Sequence, residues 1–176
     1  MVQKRSLGRK QPRLHKTFMR SRPATLRTLS QDPIYGSVLV TKLINRIMRS
    51  GKKSPAQKQV YGALSILKEK TGLESLVVFE QALENIRPQM EVRSRRIGGA
   101  AYQVPSPVRG VRKDSLAVRW LIAAAQSRSS SEHHSFASKL AAEIIDAYNS
   151  AGGAVKKKMD THRMAEANKA FAHFRW

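Results

Sequence analysis

Residues 91–109 read EVRSRRIGGAAYQVPSPVR, the one stretch with strand character in a chain that otherwise follows helical spacing. Short alternating runs flank the pair Gly98 and Gly99. Glycine accepts the positive φ angles of a tight two-residue turn, so the pattern predicts a β-hairpin centred on this pair. We expect the second strand to end before Pro105 and Pro107, because proline has no N–H to donate to a ladder.

The predicted strands cover residues 92–97 and 100–104. Successive side chains of a strand alternate between its faces, so Arg93 and Arg95 leave one face and Arg96 the other. A two-stranded ribbon with four arginines and one acid is marginal in water, and the plain alternative is a solvated surface hairpin. The rest of the chain favours an arm that is held out from a helical body to lie against phosphate.

The composition indicates a single basic domain. The chain has 176 residues, 33 Lys plus Arg, 12 Asp plus Glu and a formal net charge of +21. A compact fold with this charge repels itself, so a polyanionic partner is the natural explanation. Cysteine is absent, which excludes disulfides, thiolate zinc sites and cysteine catalysis. The longest apolar run, residues 120–125, is far too short to span a bilayer, so we expect a soluble protein.

We divide the chain into a basic extension, residues 1–31, and a helical domain, residues 32–176, whose hairpin arm covers about residues 91–105. The extension holds nine Lys or Arg, no Asp or Glu and no sustained apolar period, so we predict that it is disordered until bound. A nucleic-acid-binding tail is the favoured interpretation; an organellar transit peptide and a merely solubilising tail are the alternatives. The tail residues that we expect to bind are Lys4, Arg5, Arg9, Lys10, Arg13, Lys16, Arg20 and Arg22.

Helical spacing predicts six helices, so the fold class is all-α with one protruding hairpin. The first helix carries an apolar stripe and is expected to be capped by Gly51. The second is expected to begin at Ser54, with Pro55 in its first turn and Gln57 completing a capping box.

The other four helices follow the same spacing. The third covers about residues 74–87. The fourth, residues 116–127, is apolar nearly all round and is predicted to be the central buried helix, which makes Trp120 a core residue and not a base-stacking one. The fifth covers residues 136–148, and the last is expected to carry three consecutive lysines at its positive end.

Lys52 and Lys53 lie between the first two predicted helices, beside the positive end of the second. Both could hold a phosphate group there. Two exposed lysines before a helix are common, so this signal is weak by itself.

We find no catalytic or metal-binding constellation in the sequence, so we expect neither an enzyme nor a cofactor. His133 and His134 are adjacent and point apart on a helix, with no carboxylate at a ligand spacing. Glu80 and Glu84 fit a solvated helix face better than an acid–base pair. Aromatic residues are only 6% of the chain, which argues against stacking on single strands. A folded nucleic acid held by its backbone and shape is favoured.

Five stretches, in order along residues 32–176, resemble the family of protein seven of the small ribosomal subunit. They are DP and YG within residues 32–36, GKKS at 51–54 leading to VYGA at 60–63, EVRSRRIGG at 91–99, AVRWL at 117–121, and VKKK at 155–158 with DTHRMAEAN at 160–168 and the terminal FAHFRW.

The resemblance implies a six-helix bundle with one hairpin that binds the ribosomal RNA of the subunit head and supports its assembly. It also implies neighbouring ribosomal proteins as partners, and a position near messenger RNA and exit-site transfer RNA. Besides the tail, the residues assigned to ribosomal RNA are Lys52, Lys53, Arg93, Arg95, Arg96, Arg109 and Arg112. Those assigned to the vicinity of transfer or messenger RNA are Gly98, Gly99, Lys156, Lys157, Lys158 and Arg163.

Two departures from the bacterial pattern of the family concern the compartment. The tail is longer, and the loop at residues 127–134 carries extra residues. Both lead us to expect a mitochondrial ribosome, with the bacterial cytoplasm as the alternative. A basic DNA-compacting protein is the runner-up function, because charge alone cannot distinguish RNA from DNA. A basic membrane-surface protein comes third.

Overall fold

The computed structural model of the protein describes residues 28–174. The RNA-binding residues assigned to the tail, Lys4 to Arg22, and the predicted disorder of that tail lie outside the described residues. Within residues 28–174 the chain forms the predicted six helices and one hairpin, followed by a short 3₁₀-helix. The elements are α1 (Val38–Ile47), α2 (Lys53–Thr71), α3 (Ser75–Ile86), β1 (Met90–Ile97), β2 (Ala100–Pro107), α4 (Val111–Ser127), α5 (Phe136–Tyr148), α6 (Gly152–Ala167) and the 3₁₀-helix (Lys169–Phe174).

The fifth helix, α5, is the centre of the bundle. It packs against α2, α3, α4 and α6, and none of its residues is exposed. The expectation that α4 is the central helix is wrong, because Arg119, Ala123 and Gln126 of α4 face solvent. Exposing the methyl side chain of alanine costs little free energy, so an alanine-rich helix such as α4 can have an exposed face, and its sequence overstates its burial. Trp120 packs half-buried against the core, as predicted.

Two predicted helix ends are wrong by a few residues. α1 ends at Ile47, and Gly51 lies in the turn beyond it with a φ of 73°. α2 begins at Lys53 without a side-chain cap, so the capping box predicted at Ser54 does not form. Proline suits any position in the first turn of a helix, so Pro55 locates the beginning of α2 only to within that turn.

The hairpin, called the ribbon below, consists of β1 and β2 and turns where the sequence predicts. Gly98 and Gly99 have φ angles of 57° and 89°, the positive values that a two-residue turn requires. The two strands pair antiparallel, with Arg95 directly opposite Tyr102. Because of this pairing, Arg93 and Arg95 share one face of the ribbon and Arg96 lies on the other.

Pro105 lies inside β2 and Pro107 is its last residue, so the expectation that the strand ends before them is wrong. The Val108 N–H donates to the carbonyl of Gln89 at 2.9 Å. Only alternate residues of an antiparallel strand bond to a given neighbour. Both prolines therefore occupy the intervening positions, where the backbone nitrogen points away from β1 and a missing N–H costs no ladder bond.

A buried carboxylate joins α5 to α6. Glu143 is 1% exposed and accepts hydrogen bonds from the Ala154 N–H at 2.9 Å and from Arg128 at 2.7 Å. Gly152 has a φ of +88°, and a Cβ atom there would lie 2.9 Å from Glu143 Oε1. Glycine is therefore required at the beginning of α6, where it lets the backbone approach the carboxylate.

Candidate nucleic-acid interface

The arginines of the ribbon divide between its two faces. Arg93, Arg95 and Arg109 line one pocket together with the β2 residue Ser106. Arg96, opposite Ala101, is exposed on the other face. Two arginines of β1 and one from the loop after β2 thus border one pocket, an arrangement that suits the binding of phosphate by charge-assisted hydrogen bonds.

A buried acid holds two of the predicted RNA-binding arginines. Glu91 is 5% exposed, and its carboxylate accepts hydrogen bonds from Arg93 and from the Arg112 Nε atom, the latter at 2.8 and 2.9 Å. The Arg93 and Arg112 side chains remain 52% and 49% exposed. Glu91 therefore cancels part of the local charge and fixes the direction of both guanidinium groups, while each keeps N–H donors that face solvent.

The two lysines of the α1–α2 turn are both exposed at the positive end of α2. Lys52 is the residue before the helix, and Lys53 is its first residue, not a loop residue as predicted. The Lys52 N–H donates to the carbonyl of Arg49 at 3.0 Å, which closes the turn. Arg49 and Lys52 border the same pocket, so the turn presents at least three cations together.

The three lysines of α6 do not act alike. They begin at the fifth residue of a helix that starts at Gly152, so the expectation that they lie at its positive end is wrong. Lys156 and Lys157 are exposed, as is Arg163 about two turns further on. Lys158 is half-buried, and its Nζ atom donates to the carbonyl of Asn85 at 2.7 Å. Lys158 therefore serves the fold by satisfying a carbonyl at the end of α3.

Sequence reasoning missed a basic surface on two packed helices. α1 and α4 contact each other; Arg46 on α1 and Arg119 on α4 are exposed, as is Arg49 just beyond the end of α1. The signal was available, because these arginines lie between the apolar positions of amphipathic helices. What the sequence lacked was the packing of α1 on α4, which makes one surface from two separate stretches.

Several other cations are engaged inside the protein. Asp114 binds Lys42 and Arg87, each at 2.9 Å, and Arg128 binds Glu143 and Asp146. Such side chains are less available to an external phosphate than Arg95 and Arg96 of the ribbon.

His162 joins α6 to the beginning of β1. Its Nε2 atom accepts a hydrogen bond from the Gln89 N–H at 3.0 Å. Burial, followed by the charge of Lys158, lowers the pKa of His162 below its ordinary value. A neutral ring is required for this contact, since a protonated imidazole has no lone pair to accept with.

One residue of the resembling stretches has a purely internal role. The Asp32 carboxylate, 4% exposed, accepts hydrogen bonds from the backbone N–H groups of Ile34 and Tyr35 and from the Tyr61 hydroxyl at 2.8 Å. Partial burial, reinforced by Asp32, raises the pKa of Tyr61. These contacts fasten the segment before α1 to α2.

Two further properties hold for the described part of the chain, residues 28–174. It contains no helix that is both long and apolar enough to cross a bilayer. It also contains no group of three His, Cys, Asp or Glu side chains arranged to hold a metal ion.

Comparison with known proteins gives a consistent answer. The family model described as ribosomal protein S7p/S5e matches residues 19–169. The small ribosomal subunit protein uS7 of Thermotoga petrophila is 57% identical over 158 residues, which are 90% of this chain and 100% of that protein. The uS7 proteins of Caldanaerobacter subterraneus and Lawsonia intracellularis are 59% and 57% identical, each over 89% of this chain and 99% of the relative. These relatives are bacterial.

Proposed function

The chain belongs to the ribosomal protein S7p/S5e family, and on that premise we propose which of its surfaces bind ribosomal RNA. As a member of this family it is a structural, non-enzymatic constituent of the small ribosomal subunit. Its partners are ribosomal RNA and other ribosomal proteins. The DNA-compacting alternative has no support from the relatives.

The convergence of Arg93, Arg95 and Arg109 on one side of the ribbon carries the proposal. Each charge-assisted bond from arginine to phosphate contributes about 1.5–3 kcal/mol. The side chains project from a chain with a net charge of +21, which attracts a polyanion over a distance. We assign the ribbon to the RNA backbone for this reason.

The proposed interface extends from the ribbon across the bundle. Lys52 and Lys53 are included because they are exposed at the positive end of α2. Arg46, Arg49 and Arg119 are included because they are exposed on or beside the packed helices α1 and α4. The basic residues of the tail are also proposed to bind ribosomal RNA, because of their charge alone. The proposed ribosomal-RNA-binding residues of the helical domain are Lys52, Lys53, Arg93, Arg95, Arg96, Arg109 and Arg112, with Arg46, Arg49 and Arg119 added.

A second part of the proposal concerns transfer and messenger RNA. Gly98 and Gly99 form the exposed tip of the ribbon, and a tip without side chains lets another backbone approach closely. On α6, the exposure of Lys156, Lys157 and Arg163 supports the same assignment. Lys158 contributes its charge there but is engaged with α3.

The compartment follows the relatives. Because they are bacterial, we propose a bacterial ribosome. The mitochondrial expectation rested on the longer tail and loop, and the relatives give it no support.

Substitution of the two neighbouring ribbon arginines tests the interface. We expect Arg95→Ala and Arg96→Ala each to weaken binding to a small-subunit ribosomal RNA fragment and to lower the log–log salt slope by about 0.7–0.9. The melting temperature of the free protein should stay the same. Filter binding at two salt concentrations, with duplex DNA as the competing ligand, measures both effects.

Lys70→Ala is the matched control, because Lys70 is exposed at the opposite end of α2 from Lys53 and is not proposed to bind. Because Arg95 and Arg96 lie on opposite faces of the ribbon, an effect of both means that both faces contact RNA, and an effect of only one means that a single face does. If neither matters, the assignment of the ribbon is wrong.

A further inference from the structure

The C-terminal 3₁₀-helix contacts the ribbon through an aromatic cluster of three rings. The Tyr102 ring of β2 lies 5.3 Å from Phe171 and 5.4 Å from Phe174, centroid to centroid, with interplanar angles of 54° and 42°. The two phenylalanine rings are stacked 6.4 Å apart. These separations fall in the range where aromatic pairs attract each other.

The aromatic cluster stands apart from the hydrophobic core of the bundle. Tyr102, Phe171 and Phe174 are half-buried, and none belongs to the buried cluster that holds the helices together. The contact therefore joins the ribbon to the C-terminal 3₁₀-helix and not to the hydrophobic core. Its effect falls on the position of the ribbon.

The position of the cluster along the ribbon connects it to RNA binding. Tyr102 is paired with Arg95 across the strands, so the 3₁₀-helix supports the ribbon at the level of an arginine that faces the proposed phosphate pocket. Nearer the bundle, Met90 and Pro105 border a cleft with His162 and Ala172. The ribbon is thus held at its base by α6 and halfway along by the aromatic cluster.

We propose that Tyr102, Phe171 and Phe174 are positioning residues that fix the direction of the ribbon before RNA arrives. This inference rests on the proposed binding of ribosomal RNA by Arg95. An unsupported two-stranded ribbon is marginally stable and would lose its freedom on binding, which weakens affinity. The aromatic cluster removes that freedom in the free protein, so the arginines meet the RNA already oriented.

Ring-removing variants test the proposal without changing any charge. We expect Tyr102→Ala, and the double variant Phe171→Ala with Phe174→Ala, each to lower affinity for the ribosomal RNA fragment about three- to tenfold. The salt slope should stay that of the wild type, because every cation that meets a phosphate is still present. Amide hydrogen exchange of the ribbon in the free protein should become faster. Tyr102→Phe keeps the ring and should behave like the wild type.

Combining all three ring removals distinguishes positioning from direct contact. If the three rings act only through their contact with one another, removing Tyr102 already abolishes the support of the ribbon. The triple variant should then bind no more weakly than Tyr102→Ala alone, because the effects of coupled residues are not additive. If the ring-removing variants bind RNA more weakly than the wild type while amide hydrogen exchange of the ribbon is unchanged, the rings touch RNA themselves, and the proposal is overturned. Unchanged affinity with faster exchange would overturn it as well.

Arg95→Ala, measured alongside, separates this inference from the proposed function. If Arg95→Ala binds normally, the assignment of Arg95 fails, while the exchange data still decide whether the aromatic cluster fixes the ribbon. If Arg95→Ala weakens binding and the ring-removing variants do not, only the positioning role fails. Should the double phenylalanine variant lose helical circular dichroism, Tyr102→Ala alone decides.

Discussion

His162 links two elements through one ring nitrogen, and that link is sensitive to acid. The pKa of the ring is lowered by burial and by Lys158, so the folded protein binds this proton less readily than the unfolded chain. As the pH falls below the ordinary histidine value of about 6.5, the unfolded state takes up the proton first. Stability from His162 is therefore present above that pH and is lost as the pH approaches the folded pKa.

We expect the melting temperature to fall between pH 7.5 and pH 5, and to fall less in His162→Gln. Glutamine keeps an oxygen that can accept from the Gln89 N–H but does not titrate in this range. The difference between the two melting profiles isolates His162 from the other histidines. Parallel profiles for the wild type and the variant would contradict the assignment.

At the scale of single residues, the sequence predicted which residues are basic and exposed better than it predicted which are engaged inside the protein. The conversion of Arg112 into a partner of Glu91 could not be foreseen, because Glu91 and Arg112 are 21 positions apart and meet only in the folded chain. Lys158 is the same case, since nothing in three consecutive lysines distinguishes the one that turns toward α3. In each instance the deciding information is a tertiary contact.

At the scale of elements, α6 combines an exposed basic surface with an internal fastening. Lys158 Nζ donates to the carbonyl of Asn85, whose side-chain amide donates in turn to the carbonyls of Ala147 and Tyr148, each at 3.0 Å. The ends of α3 and α5 and the middle of α6 are thereby joined. A cation near two helix C-termini is also favourable for their dipoles.

We expect Lys158→Gln to destabilise the free protein by about 1.5 kcal/mol, the value of a hydrogen bond to a charged group. Lys156→Gln with Lys157→Gln should leave stability unchanged and weaken binding to transfer RNA or to the assembled subunit. Urea unfolding and filter binding of the two variants measure the contrast. Equal stability of both variants would show that the Asn85 contact contributes nothing.

The number and order of the elements followed from the sequence, because a 3.6-residue apolar period and a glycine pair between alternating runs are local signals. Helix ends and the extent of β2 did not. Pro105 and Pro107 are tolerated because they occupy positions of β2 whose backbone nitrogen does not bond to β1. Which positions these are depends on how the two strands pair. The centre of the bundle was also mistaken, since composition cannot tell an alanine-rich α4 from the fully surrounded α5.

At the scale of the whole molecule, charge is the dominant property. The chain carries 33 basic and 12 acidic residues, and all charge in its first 27 residues is positive. Repulsion among these groups opposes folding, and a polyanion relieves it. The bundle must therefore be stable enough alone to tolerate the charge that its partner later neutralises.

Removing residues 1–27, which hold all nine cations of the basic extension, tests how that charge is used. We expect helix content and melting temperature to stay nearly the same, and the log–log salt slope of RNA binding to fall by about 0.7–0.9 for each phosphate that the extension neutralises in the full chain. The deletion should stop there, because Asp32 is buried and bonded to Tyr61. Circular dichroism and binding at several salt concentrations measure both. A much lower melting temperature would make the extension part of the fold.

The contact between Tyr102 and the two C-terminal phenylalanines has a thermodynamic consequence in the opposite direction. Coupling free energy is reciprocal, so any factor by which the chain end improves the grip of the ribbon on RNA is returned by the bound RNA to the chain end. Ordering of the 3₁₀-helix and binding of RNA by the ribbon are thus coupled in this proposal, although the two elements are distant in sequence. On the proposed positioning role, RNA bound at the ribbon favours order at the C-terminus by the same factor by which that order favours binding.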